Sequence, residues 1–326
     1  MYGWVFMFRF VLCVLPLVIG IEAQALTFKS DGSVKGQSAA VPITADMVAA
    51  CATESHTAPA TDMTENMQVM SYNIRYDNGG DGKNNWTGRA PKVASLFAKH
   101  DVDLGGLQEV LHNQMEWLQR NLTEYEFVGV GRDDGKQAGE YAPIFFRKSD
   151  FELVKTDTVW LSKTPDKPGS RGWDAALPRI TTFAVLRHKA SGKQILLGSA
   201  HYDHRGKQAK RNSASVIHDY ISKQTADMDS PLLILTGDFN DVSQSSAIRA
   251  LENQNCLFDA HRLTDERSGP NSTWNGFRRI EGNRRIDYVF MNPVTPVLSH
   301  VIDDSKIDRR FPSDHLPVIV SMGTPQ

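Results

Sequence analysis

Short apolar runs alternate with amphipathic helical patterns from about residue 67 to residue 322. Gln68–Ile74 has the composition of a strand, whereas Arg89–Lys99 repeats its apolar residues at helical spacing. Pro231–Thr236 is apolar almost without interruption, which is typical of a strand buried on both faces. The pattern predicts further strands at Asp103–Gln108, Ala142–Phe146, Phe151–Leu161, Thr181–Arg187, Gln194–Ala200, Ile286–Phe290 and Leu316–Ser321, and further helices at Leu111–Asn121, 206–224 and Ser245–Gln254. Because no boundary divides this alternation, we predict one α/β domain with many strands.

The first 66 residues lack the alternation. An apolar run, Phe10–Ile21, precedes the small-x-small sequence Ala23-Gln-Ala25, so residues 1–25 are predicted to be a cleavable signal peptide. The run is shorter than the roughly 20 residues of a membrane-spanning helix, and an uncleaved anchor is the alternative. Residues 26–66, rich in small and polar types, are predicted to be a flexible linker. The domain then occupies residues 67–322, and the mature chain is expected to be secreted or periplasmic, without a stable membrane span.

Composition narrows the function classes only slightly. Of the 326 residues, 40% are hydrophobic, which excludes a wholly disordered chain and provides for a sizeable core. The net charge of −2 argues against a strongly basic polynucleotide-binding protein, but it does not exclude a nuclease with a local basic cleft. Cys13 leaves with the signal peptide, so Cys51 and Cys256 remain and could form one disulfide in an oxidising compartment.

Polar residues follow or flank the predicted strands, where open α/β sheets collect their ligand groups. They are Asn73, Glu109, His201, Asp238, Asn240, Asp287, Asp314 and His315. Each has an ordinary alternative role as a turn former, a helix cap or a buried structural histidine. Together their oxygen-rich side chains suit Mg²⁺ or Mn²⁺, whereas a zinc site built on His201 and His204 lacks a thiolate or a third spaced histidine. With no P-loop or GxGxxG sequence present, the set favours metal-assisted hydrolysis of a phosphate ester.

Five short motifs in order resemble the endonuclease/exonuclease/phosphatase superfamily. They are Ser71-Tyr-Asn-Ile74, Leu107-Gln-Glu-Val110, Gly237-Asp-Phe-Asn240, Arg285-Ile-Asp-Tyr-Val-Phe290 and Ser313-Asp-His-Leu-Pro317. The resemblance implies a four-layer α/β sandwich, in which two packed mixed β-sheets are flanked by helices. It also implies Mg²⁺-dependent hydrolysis of a phosphodiester or a phosphomonoester, with Mn²⁺ as an alternative ion.

The resemblance also implies roles for single residues. By position, Glu109 is similar to the principal metal ligand, with Asn73 close by and Asp314 completing or supporting the metal shell. These three residues form the expected metal site.

The remaining motif positions are expected to be catalytic. Asp238 resembles the carboxylate that positions or deprotonates the attacking water, and Asn240 resembles its partner on a phosphate oxygen. Asp287 is similar to the residue that orients the terminal histidine, here His315, while His201 resembles the histidine that binds or protonates phosphate oxygen. Either Asp238 or the Asp287–His315 pair can serve as the general base, and the sequence leaves this open.

The middle of the chain resembles an exported, deadenylase-like branch of the superfamily. Tyr141 and Arg179 are candidate substrate contacts, since Arg presents a planar fork to phosphate. Core packing is the alternative for Tyr141. Trp274 and Phe277, on a loop rich in Gly and Asn, could stack on a base or a sugar ring.

We therefore expect a secreted, Mg²⁺-dependent phosphate-ester hydrolase that uses in-line attack by a metal- and Asp238-positioned water. The expected partner is a phosphate-ester substrate, either a small molecule or a nucleic acid, and no protein partner is predicted. An extracellular nuclease is the nearest alternative. From a different class, the alternative is a catalytically silent binding module.

Overall fold

The predicted strands and helices form two mixed β-sheets with helices on their outer faces. The computed structural model describes residues 66–252 and 255–324. The strands are β1 (Asn66–Asn73), β2 (Leu104–Gln108), β3 (Tyr125–Val128), β4 (Ile144–Arg147), β5 (Phe151–Trp160), β6 (Ile180–His188), β7 (Gln194–His201), β8 (Leu232–Asp238), β9 (Phe258–Asp259), β10 (Arg267–Ser268), β11 (Asp287–Met291), β12 (Val297–Ile302) and β13 (Val318–Gly323). The helices are α1 (Trp86–His100), α2 (His112–Asn121), α3 (Lys207–Thr225) and α4 (Ser246–Glu252), with short 3₁₀ helices at Gly79–Asn84 and Ala260–Arg262.

Each sheet contains one parallel pair joined through a helix. The first sheet has the order β10-β12-β13-β1-β2-β4-β3, and β1 and β2 are parallel around α1. The second has the order β5-β6-β7-β8-β11-β9, and β7 and β8 are parallel around α3. Parallel strands end at the same edge of a sheet, so this topology gathers the ends of β1 and β2, and likewise those of β7 and β8.

Three apolar clusters separate four layers. One lies between the sheets and includes Val69 and Leu104 of the first sheet and Leu197 of the second. A second packs α1 and α2 on the first sheet, and a third packs α3 and α4 on the second. The predicted four-layer α/β sandwich is confirmed.

The two sheets approach closely near the ends of β2 and β8. A Cβ atom added to Gly106 would lie 2.2 Å from Thr236 Oγ1 and 2.5 Å from Ser199 Oγ. Ser199 Oγ donates a hydrogen bond to the Leu107 carbonyl at 3.1 Å, and Ser71 Oγ accepts one from the Gly237 amide at 2.9 Å. Hydroxyl groups thus connect the sheets directly below the edge where the strands end.

The observed element bounds differ little from the prediction, and four strands were not predicted. These are β3, β9, β10 and β12, of which the first three have four residues or fewer and lie at sheet edges. The first strand begins at Asn66 and the last ends at Gly323, one residue outside each predicted domain boundary. The predicted signal peptide lies outside the described residues, as does the predicted linker except for Asn66. Among the described helices, none is long and apolar enough to cross a membrane.

Candidate active site

The predicted site residues meet at one edge of the sandwich. Asn73 ends β1, Glu109 follows β2, His201 ends β7 and Asp238 ends β8. The antiparallel pairing of β11 with β8 sets Asp287 opposite Asp238, and the β7–β8 pairing sets His201 opposite Asp238. Asp314 and His315 precede β13, which runs antiparallel to β1. Residues from both sheets therefore face one another across their shared end.

Asp238 occupies the centre of the site. Its Oδ2 accepts a hydrogen bond from Asn73 Nδ2 at 3.0 Å, and its Oδ1 accepts one from the Asn240 amide at 2.9 Å. His201 Nε2 and His315 Nε2 lie 3.7 and 3.8 Å from Oδ2. Burial raises the pKa of Asp238 to about 7, and the charge of Asp287 adds to that effect. The carboxylate is therefore poised to exchange a proton near neutral pH.

His315 forms a buried pair with Asp287. The Nδ1 atom of His315 lies 2.9 Å from Asp287 Oδ2, which orients the ring so that Nε2 faces Asp238. Burial lowers the pKa of His315, but the carboxylates of Asp287 and Asp238 outweigh it and raise that pKa well above its usual value. The side chain is accordingly a cation that can donate from Nε2.

His201 differs from His315 in its electrostatic surroundings. Its Nδ1 lies 3.6 Å from Glu140 Oε2, and its pKa is lowered well below the ordinary value, first by burial and then by the charges of Arg179 and Arg132. His201 is therefore neutral, and the two histidines that flank Asp238 carry different charges.

Asn73, Glu109 and Asp314 form the acidic side of the site. Asn73 Nδ2 donates to Glu109 Oε1 at 3.1 Å. The Arg75 guanidinium lies between the two acids, with Nη1 3.8 Å from Glu109 Oε2 and 4.0 Å from Asp314 Oδ2. Burial raises the pKa of Asp314, and the Glu109 charge raises it further, although His315 opposes both. Two carboxylates that share one guanidinium as a neighbour form an acidic group that favours a bound cation.

Two sets of donor atoms in the described residues have metal-site spacing. Glu109, His201 and Asp238 form one, and Asp238, Asp287 and His315 form the other, each with ligand atoms within 4.8 Å of one another. Because the His315–Asp287 pair is already hydrogen-bonded, the first set is the more open to an ion. Carboxylate and amide oxygens from Asn73, Glu109, Asp238 and Asp314 fit a hard divalent cation.

Two of the site residues have an unusual backbone conformation. Glu109 has φ 59° and Asn240 has φ 50°, in the left-handed region. Asn tolerates this region, whereas for Glu it is uncommon, and such strain concentrates at functional sites. The Asn240 side chain also donates to the Tyr202 carbonyl at 3.1 Å, which fixes its position beside Asp238.

Arg179 is buried with spare hydrogen-bond donors. Its Nη2 lies 2.9 Å from His204 Nδ1 and its Nε lies 3.5 Å from Asp203 Oδ2. Among the described residues, neither Nε nor Nη1 has a hydrogen-bond acceptor. Asp203 already accepts hydrogen bonds from backbone amides, including that of Gly206 at 2.6 Å. Arg179 therefore retains donors for an anionic ligand.

Tyr141 and Trp274 are placed differently from each other. Tyr141 is 4% exposed, and its hydroxyl donates to the Lys136 carbonyl at 3.0 Å and lies 3.0 Å from His112 Nδ1. These contacts favour the packing alternative for Tyr141. Trp274 is half-buried, pairs through its backbone with His315, and stacks under the Arg284 guanidinium at 4.2 Å. A cavity of about 710 Å³ adjoins it.

Three residues near the site, Glu140, Arg132 and Arg75, were not predicted. Glu140 makes a two-point ion pair with Arg132, with Arg132 Nη1 2.6 Å from Glu140 Oε2. Arg75 contacts both predicted metal-ligand acids. Glu140 directly precedes Tyr141, whose backbone pairs with Val110 beside Glu109, but this long-range pairing has no local sequence signal.

Comparison with known proteins agrees with this architecture. Residues 70–315 match the model of the Endonuclease/Exonuclease/phosphatase family. A family protein of known structure from Bacteroides vulgatus is 37% identical, with a TM-score of 0.75 over 79% of this chain and 99% of that chain. The mannosyl-6-phosphatase of Bacteroides thetaiotaomicron is 35% identical, with a TM-score of 0.75 over 78% of this chain and 99% of its own. Human tyrosyl-DNA phosphodiesterase 2 is 22% identical over 83% of this chain and 73% of its own length. The chain therefore belongs to the endonuclease/exonuclease/phosphatase family, whose members are phosphoric ester hydrolases.

Proposed function

We propose that the protein is a Mg²⁺-dependent hydrolase of small phosphate esters, with phosphorylated sugars as the first substrate class to test. The observation that carries the proposal is the convergence of both histidines and Asn73 on the Asp238 carboxylate, beside the acids Glu109 and Asp314. Mg²⁺ is preferred over zinc because oxygen atoms dominate the donor set. Mn²⁺ is the expected substitute.

The metal would be held by Glu109, in the set that it forms with His201 and Asp238, and the predicted ligands Asn73 and Asp314 would lie beside it. When bound, a divalent cation would neutralise negative charge on the phosphoryl oxygens. Among this chain's own groups, the Asn73 amide links Glu109 to Asp238 and so fixes the distance between the metal ligands and the central carboxylate.

Asp238 is the proposed general base. It accepts a proton from the attacking water as the new phosphorus–oxygen bond forms. The ester bond on the opposite side breaks, its electron pair leaves with the alcohol oxygen, and that oxygen takes up a proton from solvent. His315, held by Asp287, donates a hydrogen bond from Nε2 to a phosphoryl oxygen, and neutral His201 and the Asn240 side chain bind further oxygens. This assignment gives each of the five predicted catalytic residues one role.

Two features support a small substrate. The spare Nη1 of Arg179 can bind a terminal phosphate oxygen, which favours a phosphomonoester. The cavity beside Trp274 has room for a sugar ring to stack on the indole. The similarity to a mannosyl-6-phosphatase points in the same direction.

Export is a separate part of the proposal. Cys256 is disulfide-bonded, and such bonds persist mainly in oxidising compartments. The protein's two other cysteines, Cys13 and Cys51, lie outside the described residues. Cell fractionation with N-terminal sequencing tests this part: a mature chain that starts after Ala25 in the secreted or periplasmic fraction is expected, and an intact N-terminus in the cytosol would contradict it.

A substrate panel tests the reaction. Purified protein is assayed with Mg²⁺ and with EDTA against mannose 6-phosphate, other hexose phosphates, bis-p-nitrophenyl phosphate, single-stranded DNA and RNA. We expect EDTA-sensitive phosphate release with the highest kcat/KM on a hexose phosphate. Preference for DNA or RNA would replace this assignment with an extracellular nuclease, and binding without turnover of any ester would favour a silent binding module.

A further inference from the structure

Arg75 is a fixed cation at the acidic side of the site. Its guanidinium forms a two-point hydrogen bond with Asp81, with Nε and Nη2 3.0 and 3.1 Å from the carboxylate oxygens. It also stacks over the Tyr76 ring at 4.3 Å. The two hydrogen bonds to Asp81 and the contact with the Tyr76 ring therefore restrict the position of the Arg75 side chain.

The third nitrogen of this guanidinium points to the metal-ligand acids. Nη1 lies 3.8 Å from Glu109 Oε2 and 4.0 Å from Asp314 Oδ2. Within residues 66–252 and 255–324, no other Arg or Lys lies within 4.0 Å of either carboxylate. The neighbouring Arg89 commits its donors to backbone carbonyls, among them those of Ile74 and Pro312.

We propose that Arg75 is a positioning residue that lowers the affinity of the Glu109–Asp314 pair for divalent metal and limits that pair to one ion. This inference rests on the proposed metal-dependent function. Glu109, Asp314 and Asp81 place three negative charges around the Arg75 guanidinium, which offsets one of them before any metal binds. A single divalent ion then brings this group to zero net charge, and a second would give it two positive charges beside a guanidinium that cannot be deprotonated.

The sign of the effect separates this role from a structural one. A residue that only supports the fold would, when removed, loosen the acids and weaken metal binding. Removal of a competing charge strengthens it. Thus Arg75→Gln and Arg75→Met should each bind divalent metal at least about tenfold more tightly, whereas Arg75→Lys, which keeps the charge, should stay within about threefold of wild type.

The experiment is titration of the full protein with Mn²⁺, with free Mn²⁺ followed by electron paramagnetic resonance and heat followed by calorimetry. Arg147→Gln is the matched control, because Arg147 also pairs with carboxylates and stacks on an aromatic ring, but beside Asp103 at the opposite end of β2. Thermal unfolding of each variant checks that it is folded, and Arg75→Met keeps the apolar contact with Tyr76 if Arg75→Gln is unstable.

The expected result is one Mn²⁺ per wild-type chain and tighter binding when the charge is removed. Two tightly bound ions in the wild type, or unchanged or weaker binding in both neutral variants, would overturn the role of Arg75. Absence of Mn²⁺ binding in the wild type and all variants would instead overturn the proposed metal-dependent function, so the two failures are distinguishable.

Discussion

Single side chains at this site take their chemistry from burial and from their nearest charges. His201 and His315 both flank Asp238, yet His315 is paired with Asp287 and charged, while His201 lies near Arg179 and is neutral. The two rings are therefore expected to serve different functions, although they are the same residue type. Burial and neighbouring charges also determine what a substitution of Asp287 or Arg179 should do.

Substitution of Asp287, which pairs with His315, should reduce the rate of hydrolysis without removing the metal. In Asp287→Asn the side chain no longer stabilises the His315 cation, so kcat should fall by about 100-fold or more. Mn²⁺ affinity should remain close to that of wild type. Steady-state kinetics and metal titration measure the two effects, with the exposed Asp157→Asn as control, and an unchanged kcat would exclude this role.

Arg179 should distinguish monoesters from diesters. Arg179→Met removes the buried donors, and the doubly charged phosphomonoester depends on them more than the singly charged diester does. We expect KM for p-nitrophenyl phosphate to rise by about tenfold, with a smaller rise for bis-p-nitrophenyl phosphate. Equal increases for both esters would show that Arg179 does not select the terminal phosphate.

At the scale of elements, the site is a property of strand ends rather than of any one loop. The predicted strands β1 and β2 are parallel, as are β7 and β8. Because parallel strands end at the same edge of a sheet, each pair places its terminal polar residues at one edge. Local periodicity was sufficient to predict these strands. The contacts of Glu140 and Arg75 were not predictable, because they depend on the pairing of segments that are distant in sequence.

The short strands were missed for a related reason. β3 has four residues and β12 has a mixed pattern of buried and half-buried positions, so neither shows a sustained period. Their pairing with β4 and β13 defines them in the structure. Such weakly patterned strands are specified by their neighbours more than by their own composition.

Close contact between the sheets makes Gly106 sensitive to substitution. In Gly106→Ala the new methyl group would overlap the Thr236 and Ser199 side chains, which should cost about 1–3 kcal/mol of the free energy of unfolding. Urea denaturation measures the loss. Gly79→Ala is the control, since no atom lies within 4 Å of its added Cβ, and equal losses in the two variants would contradict tight packing at this position.

At the scale of the whole molecule, stability should depend on a buried histidine that is not one of the predicted site residues. His300 on β12 is 1% exposed, and neither ring nitrogen has a hydrogen-bond partner among the described residues. Burial lowers its pKa to about 3, while Asp259 opposes that effect and Arg285 and His261 reinforce it. The folded state therefore keeps this side chain neutral.

This pKa predicts the pH dependence of folding. Because an unfolded histidine titrates near pH 6.5, only the unfolded state binds the proton between about pH 6.5 and 3, so stability is complete above that range and falls as the pH is lowered. Urea denaturation at pH 7, 6 and 5 should show a slope that is smaller in His300→Gln by about 1 kcal/mol per pH unit on average, since the unfolded histidine is only partly protonated above pH 6. An unchanged slope would mean that the pKa of His300 is the same in the folded and unfolded states.

The α/β alternation and the polar residues at the strand ends were predictable because strands and turns have local signatures, whereas the four-layer arrangement and the residue roles were implied by the resemblance to the superfamily. The charge states were not, since they arise from burial and from partners such as Asp287 beside His315. The central proposal concerns both the fold and the charge states: we propose that the edge of this sandwich hydrolyses phosphate esters with a divalent metal held through Glu109.

The most direct test is the initial rate of p-nitrophenyl phosphate and bis-p-nitrophenyl phosphate hydrolysis by wild type and Glu109→Gln, with Mg²⁺ and with EDTA. Glu116→Gln, on the exposed face of α2, is the matched control. We predict turnover that EDTA abolishes and Mg²⁺ restores, and a loss of at least about 100-fold in Glu109→Gln alone. A rate that is insensitive to EDTA, or full activity in Glu109→Gln, would contradict the account.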